Sequence, residues 1–511
     1  MTLLDNCSNA LTTLSQVNQK RANPCLLVIF GMTGDLTKRL LIPALCHLGS
    51  NNLLDETFCM VGVGRKPFTT QSLQEEMQKN IKEFVKDPDA VKFGETLANR
   101  VSYVRGDITD SDLFHKLKNK LEELTSHKAS KNYLFYLAVP PDTVADITIG
   151  LHKANLLKED ENNFRRIIIE KPFGHDLESA KKLNQKLLTV VDEKQLYRID
   201  HFLGKETAQN LLAFRFLNSI FESAWNHHYV DNVQLTIAEV LGVEGRGRFY
   251  EKTGALRDMI PNHMFQILSL LAMESPSSLS SDPIRDEKTK LLHSIQMINS
   301  AVVPQFIVRG QYGHGVIDSK NVPGYRSEKD VSPQSTTETF VAMKLFINNF
   351  RWLNVPFYLR TGKRLQEHTS NIIIKFKSPP TELFGKDIQS VCPNLLYINI
   401  QPNEGISLRI GAKIPGMNLR VSQVDMNFKY RDFFDMKAQT GYEVLLYDCM
   451  NGEHMSFQTA DMIEASWALV QPILDNWANS NLSNFPTYKA GTWGPKEADE
   501  LLQRDGRQWL Y

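Results

Sequence analysis

Six short apolar runs, CLLVIF, FCMVGVG, VSYVRG, NYLFYLAV, RRIIIE and QLYRI, lie between Cys25 and Asp200 with helical patterns between them. A strand buried on both faces reads as a continuous apolar run, and its parallel neighbour is reached through a crossover that is usually a helix. The alternation predicts an α/β unit over 25–200, a doubly wound, Rossmann-like parallel sheet. Its first helix shows the pattern well: Leu36, Leu40, Leu41, Ala44, Leu45 and Leu48 recur at steps of three and four, with Pro43 expected to bend it.

Beyond residue 201 the rhythm changes. DNVQLTIAEV, TFVAMKLFI, NIIIKFK, LLYINIQ and ISLRIGA alternate with few helices between them, which predicts an α+β domain over 201–511 with a large, mainly antiparallel sheet. A chain of 511 residues is too long for one ordinary core, so two domains are expected, preceded by an arm over 1–24. The Ser- and Pro-rich stretch 274–283 reads as a loop.

Lys plus Arg and Asp plus Glu number 58 each, so no net basic field draws the chain to nucleic acid or to a membrane surface, and any anion site must be local. The six cysteines form no CxxC and no His/Cys spacing suited to zinc, so neither a disulfide framework nor a metal is expected. No apolar stretch approaches the roughly 18 residues of a membrane span. A soluble cytoplasmic protein is the expectation.

CLLVIFGMTGDLTKRLL runs strand, Gly31-Met32-Thr33-Gly34-Asp35-Leu36, helix. Two glycines there let the backbone turn tightly and approach a pyrophosphate whose charge meets the helix's unpaired N–H groups. They serve equally as punctuation of a turn, but their place in the first βα unit favours a dinucleotide. No Gly-Lys-Ser/Thr follows, which excludes a phosphate-loop NTPase. The second strand ends in Gly64-Arg65-Lys66 rather than in the carboxylate that would hold a ribose 2′-hydroxyl. A guanidinium grips a 2′-phosphate, so NADP is expected over NAD, with Arg65 and Thr33 on that phosphate.

At the junction of the halves, QLYRIDHFLGKET places Asp200, His201 and Lys205 within six positions. A helix starting near His201 would put Lys205 on the same face, two cations suited to a phosphate monoester, or else a solvated helix start. In TGALRDMIPNHMFQILSLLAM, His263 shares an apolar stripe with Leu256, Ile260, Ile267 and Leu271, so it is either a satisfied core residue or a base. Asp258 is about 140° away on an ideal helix and cannot orient it; the carboxylate for that task would be Asp200. Lys171, after the strand ending at Glu170, faces the crevice at the carboxyl end of the sheet, or else solvent, and Asp176 caps the next helix.

Taken together and in order, GMTGDL, EKPFGHDL, RIDHFLGKE, GRGRFYEKTGALRDMIPNH and PFYLRTGKRL resemble the glucose-6-phosphate dehydrogenase family, over about residues 25–510. The resemblance implies oxidation of glucose 6-phosphate at C1 to a lactone with reduction of NADP, by a homodimer or homotetramer. By it, His263 would take the C1 hydroxyl proton with Asp200 holding its imidazole. His201 and Lys205 would bind the 6-phosphate, Lys171 would lie between sugar and cofactor, and Glu239 and Asp258 would bond sugar hydroxyls. Asp107 and Ile108, with Ala138 to Pro140, match cofactor-contacting positions. Two places depart from the pattern: Phe202 stands where the family usually has Tyr, and beside the matching Lys363, His368 stands where Arg or Lys is common. If His368 binds the phosphate, substrate affinity should be unusually pH-sensitive. An NADP-dependent dehydrogenase of another aldose phosphate on the same scaffold is the alternative.

Overall fold

The computed structural model describes residues 20–126, 130–380, 392–417, 420–433, 441–479 and 485–511, with the backbone alone at 207 and 208. Most of the expected N-terminal arm lies outside the described residues. The chain divides into two compact units, one of residues up to Glu170 with Lys186–Ile199 and Tyr442–Ser456, the other of Lys171–Gln185, Asp200–Gly441 and Phe457–Tyr511. Among the described residues no helix is long and apolar enough to cross a membrane.

The first unit is built on β1 (Leu26–Phe30), β2 (Cys59–Gly64), β3 (Val101–Arg105), β4 (Tyr133–Leu137), β5 (Arg165–Ile169) and β6 (Leu196–Ile199). All pair in parallel, in the order β6-β5-β4-β1-β2-β3. The six apolar runs are these strands; β1 and β4 are buried along their whole length. Chain order reverses at β1, so the loops leaving β1 and β4 part company and leave a crevice at their carboxyl ends. Gly31 opens the β1 loop at φ +83°, and a Cβ there would stand 2.1 Å from the Ala138 carbonyl oxygen, so only glycine fits. The helix that follows begins as a π turn, Thr37–Leu41, and continues as Ile42–Ser50. Pro43 thus sits in the first turn of the regular segment, where its missing N–H costs little, directly after that π turn.

The second unit carries a nine-stranded sheet. Its centre is β7 (Val230–Ala238), paired antiparallel with Thr369–Phe376 and parallel with Pro356–Gly362. Most remaining pairs are antiparallel, as the alternating sequence predicts. Against this sheet lies an aromatic core that includes Tyr250, Tyr312, Tyr325, Phe340, Tyr358 and Trp509. Helix Ala460–Asn479 packs on the turn Ile260–Met264 and on helix Ser281–Ser294, and holds the strap 171–185: Trp467 Nε1 donates to the Phe173 carbonyl at 2.9 Å, and Gln471 Oε1 accepts from Leu177 N–H at 3.0 Å. Asp176 caps the strap's helix as expected, accepting from Ser179 N–H at 2.7 Å.

Candidate active site

Helix Gly247–Met259 is interrupted at Gly254, whose φ of +67° is non-helical, and a fresh helical start follows it. Glu338 meets that start: its carbonyl accepts from Ala255 N–H and its Oε1 from Leu256 N–H, both at 2.9 Å. Two orphan N–H groups are thereby satisfied from the segment that leads into the strand Phe340–Phe346. The helix then widens into a π turn, Ile260–Met264, containing Pro261 and His263. Such turns occur disproportionately at functional positions, because they re-aim side chains that a regular helix would keep in line.

His263 is buried, and its Nδ1 lies 2.5 Å from Asp200 Oδ1, also buried. The same oxygen accepts from Phe202 N–H at 3.0 Å. On the other side, His263 Nε2 is 2.7 Å from Lys171 Nζ, which also donates to Asp258 Oδ1 at 2.9 Å. Asp258 and His263 do not touch within the helix; Lys171 joins them. Burial opposes charge on Asp200, but His263 and the two hydrogen bonds outweigh it and hold the carboxyl below its usual range. Burial likewise opposes the charge of Lys171, and Asp258, Asp200 and Glu239 overcome it, keeping the ammonium protonated.

The helix expected from His201 is not there. Asp200 takes the Phe202 N–H, and Leu203 N–H to Asp200 O and Lys205 N–H to Phe202 O close turns instead. A short aspartate bonding two residues on competes with helix in this way. The helix starts at Glu206 with Lys205 as its N-cap, so His201 and Lys205 do not share a helical face. His201 stacks edge-on to His263, ring centres 4.7 Å apart, and Lys205 sits over the Phe202 ring at 4.2 Å and bonds Gln401. Neither is simply a cation. Burial, then His263 and Lys171, push His201 well below its ordinary value and leave it neutral, and burial pushes Lys205 down to about 8 against the pull of Glu404 and Asp200.

Lys171, His201 and His263 line a pocket of about 380 Å³. Its charged lining comprises four cations, Lys171, Arg246, Arg257 and Lys363, against two carboxylates, Glu239 and Asp258, an excess of two positive charges that suits a dianion. Glu239 and Lys363 follow β7 and its parallel neighbour Pro356–Gly362, and form an ion pair within the pocket wall. Phe202 contributes an apolar wall, its ring 4.5 Å from that of His263. Asp200 and Lys205 are not in the lining; the first touches His263, which is. His368 is exposed and is not among the lining residues. Sequence reasoning singled out neither Arg246 nor Arg257. Part of the signal was there: Arg246, Tyr250 and Thr253 recur at helical spacing, whereas Arg257 follows the break at Gly254, and all four line the pocket.

Asp200, His201 and His263 place ligand atoms within 4.8 Å of one another, a spacing a metal could use. Those atoms are already committed: Asp200 Oδ1 to two donors, and the far face of His263 to an ammonium. In the first unit the residues suit a dinucleotide. Gly31 admits close backbone approach, and β2 ends without a carboxylate, in the exposed Arg65. Thr33 and Gly34 complete the β1 loop, and Asp35 and Leu36 open the helix; Asp35 pairs with Arg39 at 2.8 Å. Asp107 is used in its own turn, accepting from Thr109 N–H at 3.0 Å and Oγ1 at 2.8 Å, which lowers its carboxyl. Ile108 follows it, half-buried.

Two family profiles tile the chain: glucose-6-phosphate dehydrogenase, NAD binding domain, over residues 28–210, and glucose-6-phosphate dehydrogenase, C-terminal domain, over 212–510. The glucose-6-phosphate 1-dehydrogenase of Chlamydia pneumoniae is 44% identical over 505 residues, 97% of this chain and 98% of its own. That of Bacillus subtilis is 41% identical over 486 residues, 95% and 98%. A solved glucose-6-phosphate dehydrogenase in complex with its substrate glucose-6-phosphate aligns with a TM-score of 0.87 at 34% identity, covering 96% of this chain and 100% of that one.

Proposed function

The chain belongs to the glucose-6-phosphate dehydrogenase family, oxidising glucose 6-phosphate at C1 with a nicotinamide cofactor, and we propose that His263 is its general base, Asp200 its orienting carboxylate and NADP its preferred cofactor. The observation that carries the first two assignments is the buried 2.5 Å contact between His263 Nδ1 and Asp200 Oδ1. With Asp200 ionised, Nδ1 carries the proton and Nε2 presents its lone pair to the pocket.

The C1 hydroxyl replaces the Lys171 ammonium as the donor to Nε2 and passes its proton there as the C1–H bond gives up its hydride. The bound nicotinamide supplies the acceptor for that hydride. Asp200 stabilises the imidazolium that forms, at a place where burial strengthens the interaction. Lys171, released from Nε2, stays paired with Asp258 and meets the sugar oxygen. Glu239 and Asp258 accept hydrogen bonds from sugar hydroxyls, and the cationic excess of the pocket, with His201 in its lining and the charge of Lys205 acting on His201, receives the phosphate. His368 has no part in this reading, being exposed outside the pocket lining. NADP is favoured by Arg65 at the end of β2, where a carboxylate would repel the 2′-phosphate.

The test is His263→Asn, assayed with glucose 6-phosphate and NADP. A fall in turnover on the order of 10²–10⁴ with substrate affinity retained is expected for loss of a general base; turnover within a few-fold of the native enzyme would remove His263 from the role.

A further inference from the structure

The unit that holds the dyad also holds buried polar atoms that the mechanism above does not use. Asp200 gives only Oδ1 to His263 and Phe202; its Oδ2 is buried and has no partner among the described residues. Lys288, on helix Ser281–Ser294, is wholly buried, and its Nζ is likewise unpartnered. So are Gln266 Oε1, three residues after His263, and Ser466 Oγ, on helix Ala460–Asn479. The helices carrying Gln266 and Ser466 both pack against the helix of Lys288. A buried lysine without a carboxylate bonded to it is expensive, and a fold keeps one only against some other requirement.

We propose that Lys288 is a positioning residue for the dehydrogenase reaction: its buried, unpartnered ammonium balances the charge of Asp200 and thereby sets how strongly His263 holds a proton. Internal water is the usual partner of buried polar atoms of this kind. The charges that act on Lys288 support the assignment. Burial pushes the ammonium down to about 7, Asp200 pulls it up and Arg285, one turn away on the same helix, pushes it down. Helix Phe265–Ala272 carries no charged residue. The carboxylates of helix Ala460–Asn479 near it, Asp461 and Glu464, line a separate groove with Lys181 and His293. From the π turn, His263 is the group whose proton the arrangement controls. The charge of Lys288 therefore turns over in the pH range where an imidazole titrates, about 6.5 when unperturbed.

This inference rests on His263 being the base, and its test separates the two. The pH dependence of kcat is measured for the native enzyme, Lys288→Met and Lys288→Arg. Removing the cation leaves Asp200 unbalanced and makes His263 hold its proton more tightly. In Lys288→Met the acid limb should move up by about 0.5–1 pH unit, with kcat well down that limb falling about three- to tenfold and KM for glucose 6-phosphate staying within about twofold. Lys288→Arg, permanently charged, should leave the limb where it is or move it down. Thermal stability of the methionine variant near neutral pH should hold or rise, since an unpaired buried cation has gone. If that variant does not fold, Lys288→Gln carries the same measurement. An unmoved acid limb, with or without a change in Tm, makes Lys288 merely structural and overturns the proposal. In that case loss of turnover in His263→Asn still upholds the base; retained turnover there overturns the base as well.

Discussion

Lys171 Nζ stands 2.7 Å from His263 Nε2, the nitrogen that has to be bare to receive a proton. Because Asp258, Asp200 and Glu239 keep the ammonium charged, the lysine is the donor and the imidazole the acceptor. In the proposed mechanism the lysine occupies, in the substrate-free site, the place the C1 hydroxyl takes, so the imidazole is oriented and desolvated beforehand. Preorganisation of this kind is where most of the benefit of a buried site lies.

Lys171→Met removes both the stand-in donor and the counter-charge of Asp258. Turnover should fall on the order of 10²-fold, and the acid limb of the kcat profile should move to higher pH, since an ammonium beside Nε2 opposes the imidazolium. Steady-state kinetics from pH 5.5 to 9 read both effects, and a limb displaced downward contradicts this account.

Asp200→Asn keeps the shape of the dyad and loses its charge. The imidazolium formed in the reaction then lacks its buried counter-ion, and kcat should drop on the order of 10²–10³ with KM for glucose 6-phosphate little altered. A change confined to KM would place Asp200 in substrate binding instead.

Substrate affinity should follow Lys205 and His201, not His368. Lys205 has its value lowered to about 8 in the substrate-free site, chiefly by burial, and a phosphate dianion raises it; affinity is therefore full below about 8 and declines as pH rises through it. Below about 6 the phosphate itself loses a charge, so KM should be lowest between about 6 and 8. His201, neutral beforehand, should take up a proton as the phosphate arrives, visible as a buffer-dependent heat of binding in calorimetry. His368→Arg should leave the KM profile unchanged, because that side chain is exposed outside the pocket lining. A flat KM to pH 9.5 with no proton uptake would contradict the phosphate role of both residues.

The helix start at Gly254 should be the sensitive point of the scaffold. A Cβ there meets Glu338 Oε1 at 2.3 Å and φ is +67°, so Gly254→Ala should cost about 1–3 kcal/mol and misplace Asp258 and His263. Glu338→Ala leaves Leu256 N–H without its acceptor and should cost a similar amount, about 1–3 kcal/mol. Burial raises the Glu338 carboxyl against the pull of that N–H, so neutral Glu338→Gln, which keeps an acceptor, should be tolerated. Thermal unfolding together with kcat distinguishes the three; equal stability of the alanine and glutamine variants would rule out the capping role.

Cofactor choice should rest on Arg65. Loss of a charge-assisted pair to the 2′-phosphate, about 1.5–3 kcal/mol, predicts a fall of about 10- to 100-fold in the ratio of kcat/KM for NADP over NAD in Arg65→Ala. An unchanged ratio would shift the discrimination to Thr33 or elsewhere in the β1 loop.

The strands and the order of the two architectures were legible because they are local. An apolar run buried on both faces carries its signature within a few residues, and a glycine with no room for a Cβ, such as Gly31, announces its turn in the same way. The resemblance pointed to Asp200, His263 and Lys171, and five residues of helix were enough to show that Asp258 could not orient His263. Other features depended on what the distant chain brings. Lys171 meets Asp258 and His263 across 87 and 92 positions, and the helix start at Leu256 is completed by Glu338 from 82 positions on. The failed helix at His201 was decided by one aspartate choosing a backbone N–H two residues away over a helical start, a choice fixed by its simultaneous bond to His263. Charge states belong to the same class: His201 and Lys205 read as cations in isolation, and it is burial, joined at His201 by positive neighbours, that strips or weakens that charge. Periodicity says which side of an element turns inward, whereas the dielectric and the neighbours met there are properties of the assembled unit, and those are what make an acid, a base or a buried lysine out of an ordinary side chain.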